Sequence, residues 1–310
     1  MPRLGANAVP AELLEFQTTL RPPAAEGGAV ALLTRFDSYI NGDPPPVSAV
    51  HAGVLLREED GWRLSADITV PFGRPPFPAL LYLHGGAWVA GAPWTHRRLA
   101  AELASRGLLV VSIDYRRAPK HRFPSAVHDA AFALAWLDQR VAEFGGDPGR
   151  LLIGGDSAGA NLAAAVLASG VPAAADVRAA LLCYGIYDYH RALPVLGGLL
   201  GGQDAATQAY LDPAEFETLR GDPRLSPERN VLAFPPTLLT VGQHDPLRHE
   251  SEAMAARLAA ASIPHRLHIA TDTPHGYLQL PTHPAHDEGL AVIAEFLRDN
   301  DLLPTKPEIA

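Results

Sequence analysis

The sequence predicts an α/β protein with a mostly parallel central sheet covered by helices on both faces. Three observations carry that reading. Six short apolar runs alternate with segments of helical periodicity between Ala79 and Arg298. A pair of longer runs joined by a D-G turn precedes them. One short run leads into Gly155-Asp156-Ser157-Ala158-Gly159 and continues as an alanine-rich helical stretch to Val166. Strands that alternate with helices need crossover connections, which bury both sheet faces and make each strand read as a continuous apolar run.

Taken in chain order, residues 1–46 read as helical segments broken by Pro22-Pro23 and closed by Pro44-Pro45-Pro46. Leu13, Leu14, Phe16, Leu32, Leu33, Phe36 and Ile40 form apolar faces at partly helical spacing. They are too few for a separate core, so this piece is expected to dock on the rest. Ser48 to Arg57 and Trp62 to Val70, joined through Glu59-Asp60-Gly61, read as a hairpin at the sheet edge. Buried strands are expected at Ala79–Leu83, Leu108–Ile113, Arg150–Ile153, Ala179–Tyr184, Thr237–Val241 and Arg266–Ile269. Helices are expected at Thr95–Ser105, Ser125–Phe144, Ala158–Ala168, Glu250–Ala261 and Ala285–Arg298.

Residues 187–230 fit this alternation badly. They hold the glycine-rich GGLLGGQ (Gly197 to Gln203) and helical-looking runs around Ala205–Tyr210 and Glu215–Arg220. An insertion of that length in a compact domain is often a lid. The expected organisation is therefore a helical cap made of residues 1–46 and 187–230, over a catalytic domain made of 47–186 and 231–310.

Composition narrows the function. The 310 residues are 47% hydrophobic and carry a formal net charge of -9, with no basic cluster. Nucleic acid is therefore not an expected partner. The single cysteine, Cys183, lies in an apolar run and has no partner for an intramolecular disulfide. No apolar run approaches a membrane span. The N-terminal MPRLGANAVPAELLEF lacks an uninterrupted apolar region with a small-residue cleavage site, so the chain is expected to be unprocessed and cytoplasmic.

In an open parallel sheet, ligands bind beyond the carboxyl ends of the strands. His84-Gly85-Gly86-Ala87-Trp88 follows the first buried strand and the Ser157 pentapeptide follows the third. Gln243-His244-Asp245-Pro246 and Thr273-Pro274-His275-Gly276-Tyr277 follow the last two. A nucleophile, an acid and an imidazole thus lie after separate strands in the order Ser, Asp, His, the order of the α/β-hydrolase fold. A serine hydroxyl is a poor nucleophile until a base takes its proton, a task that suits His275, with Asp245 orienting the ring. Gly155 and Gly159 are expected where side chains would collide across a tight strand-to-helix turn. The backbone N–H groups of Gly85, Gly86 and Ala158 are the expected oxyanion donors.

Each role has rival residues. Asp272 precedes His275 on the same loop and has a poor approach to its Nδ1, and Asp188 occupies another strand end where this fold can place an acid. His84 is expected to orient its loop rather than act as a base. His244, His249, His283 and His286 read as solvated, with no metal-binding spacing. Trp88, Tyr187 and Tyr277 either line the substrate pocket or pack in the core. Asp114, Arg116 and Asp129 read as a structural network.

The motifs YLHGGAW, DYRRAPKHRFPSAVHDA, FGGDPGR, GGDSAGAN, DPLRHE and PHGY together resemble the hormone-sensitive-lipase-like branch of the α/β-hydrolases. The resemblance runs from about Pro71 to Arg298; the N-terminal segment matches only in kind, as a helical cap. It implies an α/β-hydrolase fold and carboxylic-ester hydrolysis by Ser157, Asp245 and His275, with no metal or organic cofactor. The sequence departs from the family pattern at Ala87, in place of a third glycine, and at Lys120 and His249, in place of acidic residues. The expected activity is a serine carboxylesterase acting through a Ser157 acyl-enzyme on small, short-chain esters. An amide- or lactone-directed hydrolase with the same triad, of the arylformamidase kind, is the alternative. A non-catalytic ligand-binding member of the fold is the third reading. A small-molecule ester is the expected partner, and a homodimer stays open.

Overall fold

In a parallel strand covered on both faces, side chains alternate between two apolar layers. The strand Phe77–Leu83 (β3) does this: Ala79, Leu81 and Leu83 enter one core cluster, Leu80 and Tyr82 the other. The computed structural model describes residues 9–19, 35–59, 61–200 and 209–304. Within them, eight strands form one sheet: β1 (Ala49–Glu59), β2 (Trp62–Val70), β3, β4 (Leu109–Ile113), β5 (Gly146–Asp156), β6 (Val177–Cys183), β7 (Thr237–Gly242) and β8 (His265–Ala270). Their order is β1-β2-β4-β3-β5-β6-β7-β8. β2 pairs antiparallel with both β1 and β4, and every other pairing is parallel. This is the expected fold class.

The larger core cluster packs β3, β5 and β6 against the helices Ser125–Arg140 and Ala158–Ala168. Every residue of the latter is buried. Its alanines and glycine let the helix lie close to the sheet, so its N-terminus projects from the end of β5 into the site. The second cluster packs the other face of the sheet against Arg97–Ala104 and Pro284–Asp299. A third, small cluster of Leu13, Phe36, Ile40 and Leu280 docks the N-terminal helix Ala11–Thr19 near the loop that follows β8.

Several boundaries differ from expectation for local reasons. β5 starts at Gly146 rather than Arg150, because pairing with β3 resumes across a register shift between Pro78 and Ala79. The helix expected to Phe144 ends at Arg140 and tightens into a 3-10 turn, closed by Gly145 at φ +84°. Glu215–Arg220 holds turns after the short 3-10 helix Pro213–Glu215, not a helix. The expectations on Leu32, Leu33, Gly201–Gln203 and the first part of Ala205–Tyr210 lie outside the described residues. Among the described residues, no helix is long and apolar enough to cross a membrane.

Candidate active site

β5 delivers Ser157 at φ 54° and ψ -118°, between the strand and the Ala158–Ala168 helix. A non-glycine residue held at positive φ is strained and is kept there by its surroundings. Here its N–H donates to the Cys183 carbonyl at 2.8 Å on the neighbouring strand. The close approach demanded of the glycines is present. A Cβ on Gly159 would lie 1.8 Å from the Leu83 carbonyl oxygen, and one on Gly155 2.2 Å from the same atom.

His275 follows β8 and Asp245 follows β7. The His275 ring spans the gap, with Nδ1 2.8 Å from Asp245 Oδ2 and Nε2 3.0 Å from Ser157 Oγ. A carboxylate only accepts, so Nδ1 carries the proton and donates to Asp245, and Nε2 accepts from the serine hydroxyl. Asp245 is 5% exposed, and its other oxygen accepts the Leu247 N–H at 2.7 Å. The ring of Tyr184, itself at φ 42°, meets the imidazole edge-on with centroids 5.0 Å apart.

The rivals point elsewhere. Asp272 is exposed beside His244, and its N–H donates to Gln243. Asp188 accepts from the His190 and Arg191 amides and pairs with Arg229. His84 is buried, its ring stacked on Tyr115 and its Nδ1 2.9 Å from the Gly85 carbonyl, a contact that orients the loop. Burial, with His96 nearby, pushes its pKa down to about 3, so it stays neutral. His286 departs from the expectation of a solvated histidine. It is buried, with Nδ1 3.0 Å from the Leu278 carbonyl and Nε2 2.9 Å from Glu102. The helices Arg97–Ala104 and Pro284–Asp299 pack together there, and the carboxylate partner makes a buried imidazole tolerable. Asp129 collects Arg116 and Arg57 as a network, but Asp114 lies outside it and pairs with Arg117 instead.

The donor loop also differs from expectation. The Gly85 N–H donates to Asp156 Oδ1 at 3.0 Å, so it is turned into the protein. Gly86 follows at φ +126°, and Ala87 and Trp88 both take positive φ. Among the described residues, the amides of Gly86, Ala87 and Ala158 donate to no protein acceptor. Asp156 is the residue that motif reading passed over. Its carboxylate also accepts from the Tyr82 hydroxyl at 2.7 Å and lies 3.1 Å from His96 Nε2. Burial would push its pKa up, but His96, Tyr82 and the Gly85 amide outweigh that and hold it low. A charged residue at the end of an otherwise apolar strand was the available signal.

Trp88, Tyr187 and Tyr277 all lie in the packed interior. Trp88 stacks on Tyr210 of the inserted segment with centroids 4.3 Å apart, and Tyr277 packs against Tyr184. The inserted segment is tied down from below: Glu250, fully buried, accepts from the Tyr187 and Asp188 amides and from Arg191, which also holds Glu228. Among the described residues, no group of three or more His, Cys, Asp or Glu is placed to hold a metal ion.

Known proteins add to this geometry. Residues 80–279 match a family model described as the alpha/beta hydrolase fold, more than half of the chain. The chain belongs to the alpha/beta hydrolase family. The carboxylic ester hydrolase LipN of Mycobacterium tuberculosis is 36% identical to this hydrolase over 226 residues, 68% of the chain and 60% of LipN. The chain thus spans less than two thirds of that relative. An ethyl acetate hydrolase of Pseudomonas putida is 32% identical over 233 residues, 72% of this chain and 73% of its own. The crystal structure of EstE1, a thermostable carboxylesterase cloned from a metagenomic library, superposes with a TM-score of 0.74 at 29% identity. That match covers 96% of this chain and 99% of EstE1. All three of these relatives are named for the hydrolysis of carboxylic esters, and the family match agrees with the hormone-sensitive-lipase-like branch.

Proposed function

We propose that this hydrolase is a serine carboxylesterase whose nucleophile, base and acid are Ser157, His275 and Asp245. The observation that carries the reading is the single imidazole bridging Ser157 Oγ at 3.0 Å and Asp245 Oδ2 at 2.8 Å. As Oγ attacks the ester carbonyl, Nε2 takes its proton, and Asp245 steadies the imidazolium that forms. The same proton then goes to the departing alkoxide, leaving an acyl-Ser157. A water deprotonated by His275 attacks that acyl group, and collapse of the second intermediate returns the proton to Oγ.

Both intermediates carry negative charge on the former carbonyl oxygen. The amides of Gly86, Ala87 and Ala158 are the proposed donors, with the N-terminus of the Ala158–Ala168 helix adding its dipole. Ala87 replaces Gly85 in the expected set, because the Gly85 N–H is engaged by Asp156. Residues 1–46 and 187–230 are proposed as the two parts of a cap over this site. Trp88, Tyr187 and Tyr277, buried in the packed interior, are proposed to back a small acyl pocket from within the core rather than to line it, and the ethyl acetate hydrolase among the relatives supports a short acyl chain.

The test is a p-nitrophenyl acetate, butyrate and octanoate series run beside an aryl formamide and a lactone, with fluorophosphonate labelling of the folded protein. The expected result is the highest kcat/KM on acetate or butyrate and a covalent adduct on Ser157. A higher kcat/KM on the formamide or lactone would overturn the ester preference. Folded protein that takes no label would overturn the mechanism.

A further inference from the structure

The geometry points to Gln17, on the N-terminal helix, as a positioning residue for the base. This inference rests on the assignment of His275 above. The last four carbonyls of an α-helix have no partner within it, and in Ala11–Thr19 the Gln17 carbonyl is one of them. It accepts the His275 backbone N–H at 3.0 Å. The Gln17 side chain returns the contact one residue on, Nε2 donating to the Gly276 carbonyl at 3.2 Å. Because that carbonyl only accepts, the amide orientation follows, and among the described residues Oε1 is left without a protein partner.

The helix is seated for this. Leu13 lies four residues earlier on the same face, fully buried against Phe36, Ile40 and Leu280. Gln17 itself is 5% exposed. Gly276 sits at φ +71°, where a Cβ would come within 2.9 Å of Gln17 Nε2, so a glycine admits the close contact. The base is thus held at four points. Two are ring nitrogens, and the other two are backbone groups held by a helix about 260 residues away in sequence. Lifting the Ala11–Thr19 helix would release both backbone tethers at once.

The test compares Gln17→Met, which removes only the side-chain donor, with Gln17→Glu, which sets a carboxylate against the Gly276 carbonyl, and with Leu13→Ala, which loosens the whole helix. Misplacing a reacting group by about 1 Å can cost about 10²-fold in rate. The expected result on p-nitrophenyl acetate is a kcat lower by about tenfold for Met and more for Glu and Leu13→Ala, with KM within about twofold. A residue that merely fills space would lower Tm and leave kcat at 25 °C unchanged, and that result overturns the inference. A second measurement needs no variant at position 17: amide hydrogen exchange at His275 should be slow in the wild type and fast in Leu13→Ala. Fast exchange in the wild type also overturns it. An inactive, unlabelled wild type removes the parent mechanism and this inference together. An active wild type with unchanged variants removes this inference alone.

Discussion

The two sides of the candidate site are held in different ways. On the nucleophile side, Ser157, the donor loop and Asp156 lie on adjacent strands, and backbone atoms press together closely enough that only glycine fits at 155 and 159. On the base side, His275 lies on a loop after β8, whose residues are only partly buried up to Ala270, and its supports arrive from elsewhere in the chain. The proposed nucleophile is fixed by the sheet, whereas the proposed base is fixed by reach. The first arrangement resists change until it fails, and the second can be loosened by degrees.

The largest effects should be alike on both sides. Ser157→Ala and His275→Ala should each lower kcat by about 10⁵-fold or more while the far-UV spectrum is kept. Residual turnover near wild type in either variant would refute its role. The sides should then diverge. Asp156→Ala frees the Gly85 loop and leaves Tyr82 and His96 without their buried acceptor, so kcat should fall by about 10²-fold and stability by about 3 kcal/mol. A variant that loses rate without any drop in Tm would show that Asp156 does not brace this side.

A pH series probes the segment between the two sides. Burial pushes the Glu250 carboxyl up, but hydrogen bonds from His249, Arg191 and the Asp188 amide outweigh it, so its folded pKa lies below the ordinary 4.5. The unfolded chain then takes up the proton more readily. That stabilisation is present above about pH 4.5 and is lost as pH falls through the lower folded value. His249 behaves oppositely: its hydrogen bond to Glu250 raises its pKa above the ordinary 6.5. Its contribution is complete below about pH 6.5 and fades as pH rises through the raised value. Thermal unfolding should show Tm decline at both ends, with Glu250→Gln flattening the acid limb and His249→Gln the alkaline one. Tm curves that superpose with wild type would remove this ion cluster as the cause. The smallest effect should come from Asp272→Ala, which removes an ion pair with exposed His244 and keeps the backbone N–H that donates to Gln243; kcat/KM should stay within about twofold.

How much of this was legible in the sequence follows the same division. Strand ends and the glycine pair at 155 and 159 are local patterns, and sequence registers local patterns well. The misreadings concern contacts between distant residues. His286 read as solvated because nothing in its own helix announces Glu102, which lies on a helix across the second core layer. The Gly85 amide read as free because its acceptor, Asp156, is 71 residues away and was masked by the serine beside it. Gln17 carried no signal at all, since a glutamine on a short helix is ordinary until its partner is known.

The commitment of Gly85 to Asp156 has a consequence for anyone rebuilding this enzyme. The residue that grips the loop at Gly85 is joined by a peptide bond to Ser157, the proposed nucleophile, so one side chain acts as the gauge block between them. A loop grafted from a relative would keep its spacing from Ser157 only if it carried an amide to meet that carboxylate, and only if Tyr82 and His96 stayed in place behind it. Loop, elbow and bracing pair form one interchangeable part, and engineering should move them together.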